Sequence, residues 1–117
     1  MATKKAEAAF DMTAMQAHAG DAARILKALA SERRLQILCL LAAGEHSVGE
    51  INAMLDLSQS ALSQHLAVLR EEGLVRTRRE AQIIHYSLMP GPAAEIMRTL
   101  HGIYCAPEPL RKRKGHT

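Results

Sequence analysis

Apolar residues at Met15, Ala19, Ala22, Ile25, Leu26 and Leu29 recur every three or four positions. That is the period of an amphipathic helix, and it predicts a first helix over roughly Met12 to Leu29. Ser31 can then cap a second helix. Its stretch Leu35 to Ala43 (LQILCLLAA) is apolar on every side, as in a helix at the centre of a core, with Cys39 inside it and Gly44 ending it. Ser47 and Glu50 have the S-x-x-E spacing of a capping box and open a short third helix through Leu55, with Ile51 and Leu55 on its inner face. After Asp56 and Leu57, Ser58 can cap a fourth helix whose Leu62, Leu66 and Leu69 face inward until Gly73 stops it.

From Leu74 the period changes to two. Val75 and Thr77, then Ile84, Tyr86 and Leu88, alternate with Arg76, Arg78, His85 and Ser87 across a polar bend near Glu80 and Ala81, which predicts a β-hairpin. The bend lacks the Asn-Gly or Asp-Gly pair of a tight turn, so its register and length stay open. Pro90, Gly91 and Pro92 break the hairpin. Pro92 suits a first helical position, and Ile96, Met97, Leu100, Ile103 and Tyr104 restore helical spacing towards Pro107, with Cys105 at the end of this fifth helix. Residues 107–117 are expected to form a flexible basic tail and residues 1–10 a disordered leader, because neither carries enough apolar surface to order itself. A single domain over 11–106 remains.

Composition agrees with a mainly α fold. Of 117 residues, 48% are hydrophobic but only 3% aromatic, with no Trp, so the core is built from Leu, Ile, Ala and Met. The formal charge of +3 owes four positives to Arg111, Lys112, Arg113 and Lys114. Overall basicity therefore says little, and a nucleic-acid argument must rest on where the body's charges sit. No apolar run is long enough to span a bilayer and the N-terminus lacks a signal-peptide layout, so a cytoplasmic protein is expected. In that compartment two cysteines are free thiols more often than a structural bridge.

The third helix, the turn around Asp56 and Leu57, and the fourth helix form a helix-turn-helix, and the hairpin that follows takes the place of a wing. In such a unit the second helix enters the major groove through its N-terminal polar residues, here Ser58, Gln59, Ser60, Ser63 and Gln64. Gln pairs bidentately with adenine and Ser reaches bases or phosphates. Arg78, Arg79 and Gln82 on the wing are candidates for phosphate or the minor groove. His65 reads either as a phosphate contact or as a half-buried packing residue. The same polar positions also suit the solvated face of an ordinary helical hairpin.

The stretch LKALASERRLQILCLL, followed by SVGEI, LSQSALSQHLAVLREEGLV and REAQIIHYSL, resembles the ArsR/SmtB family of bacterial winged-helix repressors over roughly Leu26 to Cys105. The resemblance implies a homodimer joined through its first and last helices, bound to an imperfect inverted repeat in promoter DNA until an inducer weakens the complex. Many relatives sense metals through a Cys-x-Cys-type pair on the third helix or Asp and His ligands on the last. Here the third helix reads SVGEINAML without cysteine, and the last offers only His101 and Cys105. Cys39 and Cys105 instead resemble the cysteine pair of the persulfide-sensing SqrR/BigR/HlyU branch. That implies that reactive sulfur species join the two by a polysulfide or disulfide bridge and that the repressor then releases DNA. No cofactor is implied.

The bridge chemistry needs two thiols. One takes up a sulfur as a persulfide, which the other attacks; a pair held slightly too wide for a disulfide favours a bridge with added sulfurs. Read from its neighbours alone, Cys39 between Leu38 and Leu40 also suits plain core packing, whereas Cys105 near a helix end is expected to be exposed. Two other functions stay in view. His101 and Cys105, four apart on one helical face, offer two ligands to a metal sensor that finds a third. A peroxidase-like or sulfurtransferase nucleophile would make the chain an enzyme, but no phosphate loop, paired carboxylates or substrate domain supports it.

Overall fold

Polar caps set the helix boundaries. Asp11 accepts a hydrogen bond from the Ala14 N–H at 3.1 Å and starts α1 (Met12–Leu29). Ser31 accepts from the Arg34 N–H at 3.2 Å and starts α2 (Glu32–Ala43). At α3 (Val48–Met54) the capping box closes in both directions, Glu50 N–H to Ser47 Oγ at 3.1 Å and Ser47 N–H to Glu50 Oε1 at 2.8 Å. Ser58 accepts from the Ala61 N–H at 3.1 Å to open α4 (Gln59–Glu71). Each cap pairs a donor that the helix itself leaves unpaired and contributes about 1 kcal/mol. The computed structural model describes residues 10–105; the expectations for residues 1–9 and 106–117, including the basic tail, lie outside the described residues.

Gly73 ends α4 as the sequence predicts, in the left-handed conformation (φ 72°). Leu74 N–H bonds back to Leu69 O at 2.9 Å and Gly73 N–H to Arg70 O at 3.0 Å, the paired bonds of a Schellman motif. The chain then runs into β2 (Val75–Glu80) and β3 (Ile83–Leu88), whose register runs from Val75 opposite Leu88 to Glu80 opposite Ile83. The bend is therefore tight, with only Ala81 and Gln82 between the strands, although it lacks a glycine. Ala81 instead takes φ 59°, a conformation that costs an L-residue roughly 1 kcal/mol. A further strand, β1 (His46–Ser47), pairs antiparallel with β3 and makes a three-stranded sheet in the order β1-β3-β2. Two residues are too few to show a period, so this strand had no signal in the sequence. Pro92 opens α5 (Pro92–Tyr104), and Cys105 forms its C-cap.

The core gathers around Ile37 and Leu38 of α2, Ile51 of α3, and Leu62 and Leu69 of α4, each less than 2% exposed. Leu74, Val75 and Tyr86 from the hairpin and Ala93 and Met97 from α5 close over them. One expectation is corrected here. The α2 helix is not buried all round: Ile37, Leu38 and Leu41 are inside, while Cys39, Ala42 and Ala43 are exposed. Its apolar outer face lines a surface groove beside α5, so the simple core-packing role for Cys39 is overturned.

By contrast α1 barely joins this core. Of its 18 residues only Ala28 and Leu29 are buried, and everything from Phe10 to Gly20 is exposed. At 1.5 Å per residue the helix is about 27 Å long, and its first half, Met12 to Gly20, is exposed throughout. The result is an array of large exposed apolar side chains: Phe10 (88%), Met12 (69%), Met15 (57%), Leu26 (54%) and, at the end of α5, Tyr104 (80%).

Candidate DNA interface and cysteine groove

The helix-turn-helix consists of α3, a turn over 55–58, and α4. Leu57 N–H bonds Leu55 O at 2.7 Å inside the turn, and Asn52 Nδ2 donates to Leu57 O at 2.7 Å from the preceding helix. Asn52 thus pins the turn from outside it. With Leu62, Leu66 and Leu69 buried, α4 turns Gln59, Ser60, Ser63 and Gln64 to solvent. Ser58 is exposed as well, but its oxygen is committed as the cap acceptor. Ser63 lines a groove with Ile84 and Tyr86 of the wing, so the polar face of α4 runs beside the hairpin. These are the surfaces that helix-turn-helix proteins present to base edges and backbone.

His65 is half-buried and has a partner that local patterns could not disclose. Arg34 of α2 donates through Nε to Ala28 O at the end of α1 (2.6 Å), and its Nη1 lies 3.4 Å from His65 Nδ1. A guanidinium has no lone pair, so Nδ1 must accept and the imidazole proton sits on Nε2. Burial, then the positive charge of Arg34 and Arg33, holds His65 below its ordinary pKa of 6.5. His65 is thus half-buried, as the packing reading expects, and its polar partner is Arg34 inside the fold. A second polar bridge, Arg24 Nε to Glu72 Oε1 at 2.8 Å, also joins α1 to α4.

On the wing the three candidates differ. Arg78 is already paired: it donates through Nε and Nη2 to Glu45 of the α2–β1 connection at 3.0 and 2.8 Å, with Glu80 at 3.6 Å. The hydrogen bonds from Arg78 hold the Glu45 carboxyl below its ordinary range and the guanidinium above its own. Arg78 thus fastens the wing to the end of α2. His85 Nε2 lies 3.2 Å from Glu80 Oε1, close enough for ion pairing but without hydrogen-bond alignment. Arg79 and Gln82 are exposed, and no salt bridge engages Arg79 among the described residues. Glu45 and Arg34 lie 33 and 31 residues from their partners, which is why neither could be inferred from spacing along the chain.

The two cysteines open onto a groove between α2 and α5. Cys39 and Cys105 are both free and exposed, and they line one groove with Leu35, Leu100, His101 and Tyr104. The groove also brings in His101, the residue of the metal alternative. Among the described residues no three His, Cys, Asp or Glu side chains converge as a metal site would require.

A helix-turn-helix with a hairpin wing on a helical core defines a winged-helix DNA-binding protein, and relatives place it further. Residues 31–77 match the model of the bacterial regulatory protein, arsR family. The chain is 50% identical over 98 residues to a protein described as transcriptional activator HlyU, from Vibrio cholerae serotype O1, covering 84% of this chain and 91% of that one. It is also 50% identical over 97 residues to the biofilm growth-associated repressor of Agrobacterium fabrum, with 83% of each covered. Among solved structures, reduced HlyU from Vibrio cholerae superposes with a TM-score of 0.77 at 50% identity, over 81% of this chain and all of that one. The repressor BigR from Xylella fastidiosa gives 0.77 at 40% identity, over 84% of this chain. The chain belongs to the ArsR family of transcriptional regulators, within the group that holds HlyU and BigR, and is a regulator rather than an enzyme. No helix among the described residues is long and apolar enough to cross a membrane.

Proposed function

We propose that the protein is a homodimeric repressor that binds an inverted repeat in promoter DNA and leaves it when reactive sulfur species bridge Cys39 and Cys105. The observation that carries the reading is the shared groove: two free, exposed thiols, one on α2 and one at the end of α5, open onto the same space. The name of the Agrobacterium relative supports repression, and the neighbouring HlyU structure is described as reduced, which fits a protein with more than one thiol state. Dimerisation draws on the exposed apolar length of α1 and the end of α5, a surface that a soluble monomer rarely leaves open. A two-fold dimer in turn calls for two half-sites. Within each half-site Gln59, Ser60, Ser63 and Gln64 meet base edges, Ser58 and His65 the backbone through a hydroxyl and the Nε2 proton, and Arg79, Gln82 and the latched Arg78 the flank.

The chemistry balances without a further oxidant. The Cys39 thiolate attacks the outer sulfur of a persulfide RS–SH, the S–S bond breaks, the thiolate RS⁻ leaves with the electron pair, and Cys39 carries –S–SH. Cys105 thiolate then attacks Cys39 Sγ and expels HS⁻, leaving a disulfide. If a second donor has first loaded Cys105, the terminal sulfur on Cys39 attacks Cys105 Sγ, again expelling HS⁻, and the bridge retains one extra sulfur. Bridging α2 to α5 loads the helix that Arg34 connects to His65 of α4 and that Glu45 connects to the wing.

Reduced protein exposed to glutathione persulfide is expected to gain the mass of a bridge between Cys39 and Cys105 and to lose affinity for its promoter. The loss is about 5- to 150-fold, the usual range of coupling between two sites. Peroxide at equal concentration is expected to do neither. Persulfide treatment that leaves mass and binding unchanged would remove the sulfur switch, and zinc titration would then take its place.

A further inference from the structure

The seam between α2 and α5 does not end at Cys39. In one direction it passes Leu35 and Tyr104 to reach Cys105. In the other it opens into a second groove of about 400 Å³ beside Ala42, Ala43 and Leu88, with Arg98 and His101 on its α5 side. Cys39 lines both. On α5 the residues Ala94, Arg98, His101 and Cys105 follow at helical spacing, so Arg98 and Cys105 share a face but stand about 10 Å apart along the axis. Cys39 therefore has the resolving thiol on one side and a cationic, otherwise apolar groove on the other. Among the described residues no carboxylate lines that groove. Its arginine is held there by Glu95, at 3.1 Å one turn back, with the two side chains 68% and 74% exposed, an ion pair that a ligand carboxylate can displace.

We propose that this second groove is the docking site for the sulfur donor and that Arg98, with His101, selects donors bearing a carboxylate, that is, persulfides of small anionic thiols. The proposal rests on the sulfur-switch reading and names its substrate class. Sulfur exchange runs in line: the attacking sulfur, the sulfur attacked and the leaving sulfur lie on one axis. When Cys105 attacks Cys39 Sγ from its own half of the seam, HS⁻ must depart into the opposite half, where the donor had docked. In the preceding step the carrier thiolate RS⁻ also leaves on that side, while Arg98 holds the donor's carboxylate. One groove thus receives the donor and both leaving groups. Its volume lies within the range of small-molecule sites.

The test isolates the first step in full-length protein carrying Cys105→Ser, with the rate of sulfur addition to Cys39 followed by intact mass. Two donors are compared, glutathione persulfide and 2-hydroxyethyl persulfide, which carries no carboxylate. Arg98→Gln is expected to slow the carboxylate-bearing donor roughly tenfold and to leave the other within about twofold, as removal of local electrostatic attraction does. Glu95→Gln, which frees Arg98, is expected to speed the carboxylate-bearing donor only. Alkylation of Cys39 by iodoacetate relative to iodoacetamide should fall in Arg98→Gln in the same way. Equal effects on both donors, or none, would overturn the docking site and leave the switch standing. Failure of Cys39 to accept sulfur from either donor would remove the switch; a lowered iodoacetate ratio would then retain an anion site without it. Dimer dissociation in Arg98→Gln with unchanged ratios would assign the groove to a second copy of the chain and overturn the proposal.

Discussion

The helix-turn-helix and wing differ from α1 and the α2–α5 seam in how completely the protomer satisfies them. Every boundary of the first region is closed within the chain: Ser47 with Glu50, Ser58, Asn52 on the turn and the Schellman bonds at Gly73. Its leucines at 62, 66 and 69 are fully packed. The second region is left open, with Phe10, Met12 and Met15 in solvent and two thiols facing a groove. A surface that must keep one geometry against DNA is built as a closed unit. On the function proposed above, the surface that responds to a partner or a reagent is the one left with its apolar and reactive groups exposed.

The same kind of truncation should therefore act oppositely in the two regions. Leu62→Ala is expected to destabilise the fold by about 2–5 kcal/mol, the cost of lost burial plus a cavity, read as a lowered urea midpoint. Met15→Ala removes a side chain that is 57% exposed and should leave protomer stability within about 0.5 kcal/mol. It should instead weaken dimerisation, measured by sedimentation at falling concentration. A folding loss at Met15 comparable to that at Leu62 would erase the distinction.

Within the closed unit a smaller cut probes the backbone. Nothing lies within 4 Å of a Cβ added at Gly73, so only its φ of 72° opposes a side chain. Gly73→Ala should cost about 1–2 kcal/mol, seen as a lowered urea midpoint, with promoter affinity at saturating stability unchanged. The converse holds at Ala81, whose φ is 59°. Ala81→Gly should stabilise by about 0.5 kcal/mol, the released strain being partly offset by glycine's greater freedom in the unfolded chain.

The same contrast explains what could be read beforehand. The five helices, the hairpin and the exposed polar face of α4 were legible because caps, Gly73 and the leucine period act within a few residues of one another. The family resemblance singled out Cys39 and Cys105 before any geometry was available. What escaped depends on distant pairing: β1 against β3, Arg34 against His65, Glu45 against Arg78. The tight turn at Ala81 escaped because tertiary register overrode the local preference for glycine. The α2 helix was misread as buried all round because an outer face that lines an apolar groove is as apolar in sequence as one buried in a core.

The smallest expected effect tests whether the closed unit is tied to α2 through His65. In the fold this imidazole is held neutral, first by burial and then by Arg34 and Arg33, with its pKa below 6.5. In the unfolded chain it titrates normally. Between the two values the unfolded state binds the extra proton, so stability rises with pH across that window. The contribution is complete above about pH 6.5, declines as pH falls below the ordinary histidine value, and levels off beneath the depressed one. Urea midpoints of the wild type and His65→Gln, compared from about pH 7.5 down to 5, should diverge in slope only below the ordinary value, with the wild type falling more steeply. Parallel curves would mean that neither burial nor Arg34 holds His65 neutral in solution. The link from the cysteine-bearing helix to the recognition helix would then have to run elsewhere than through His65.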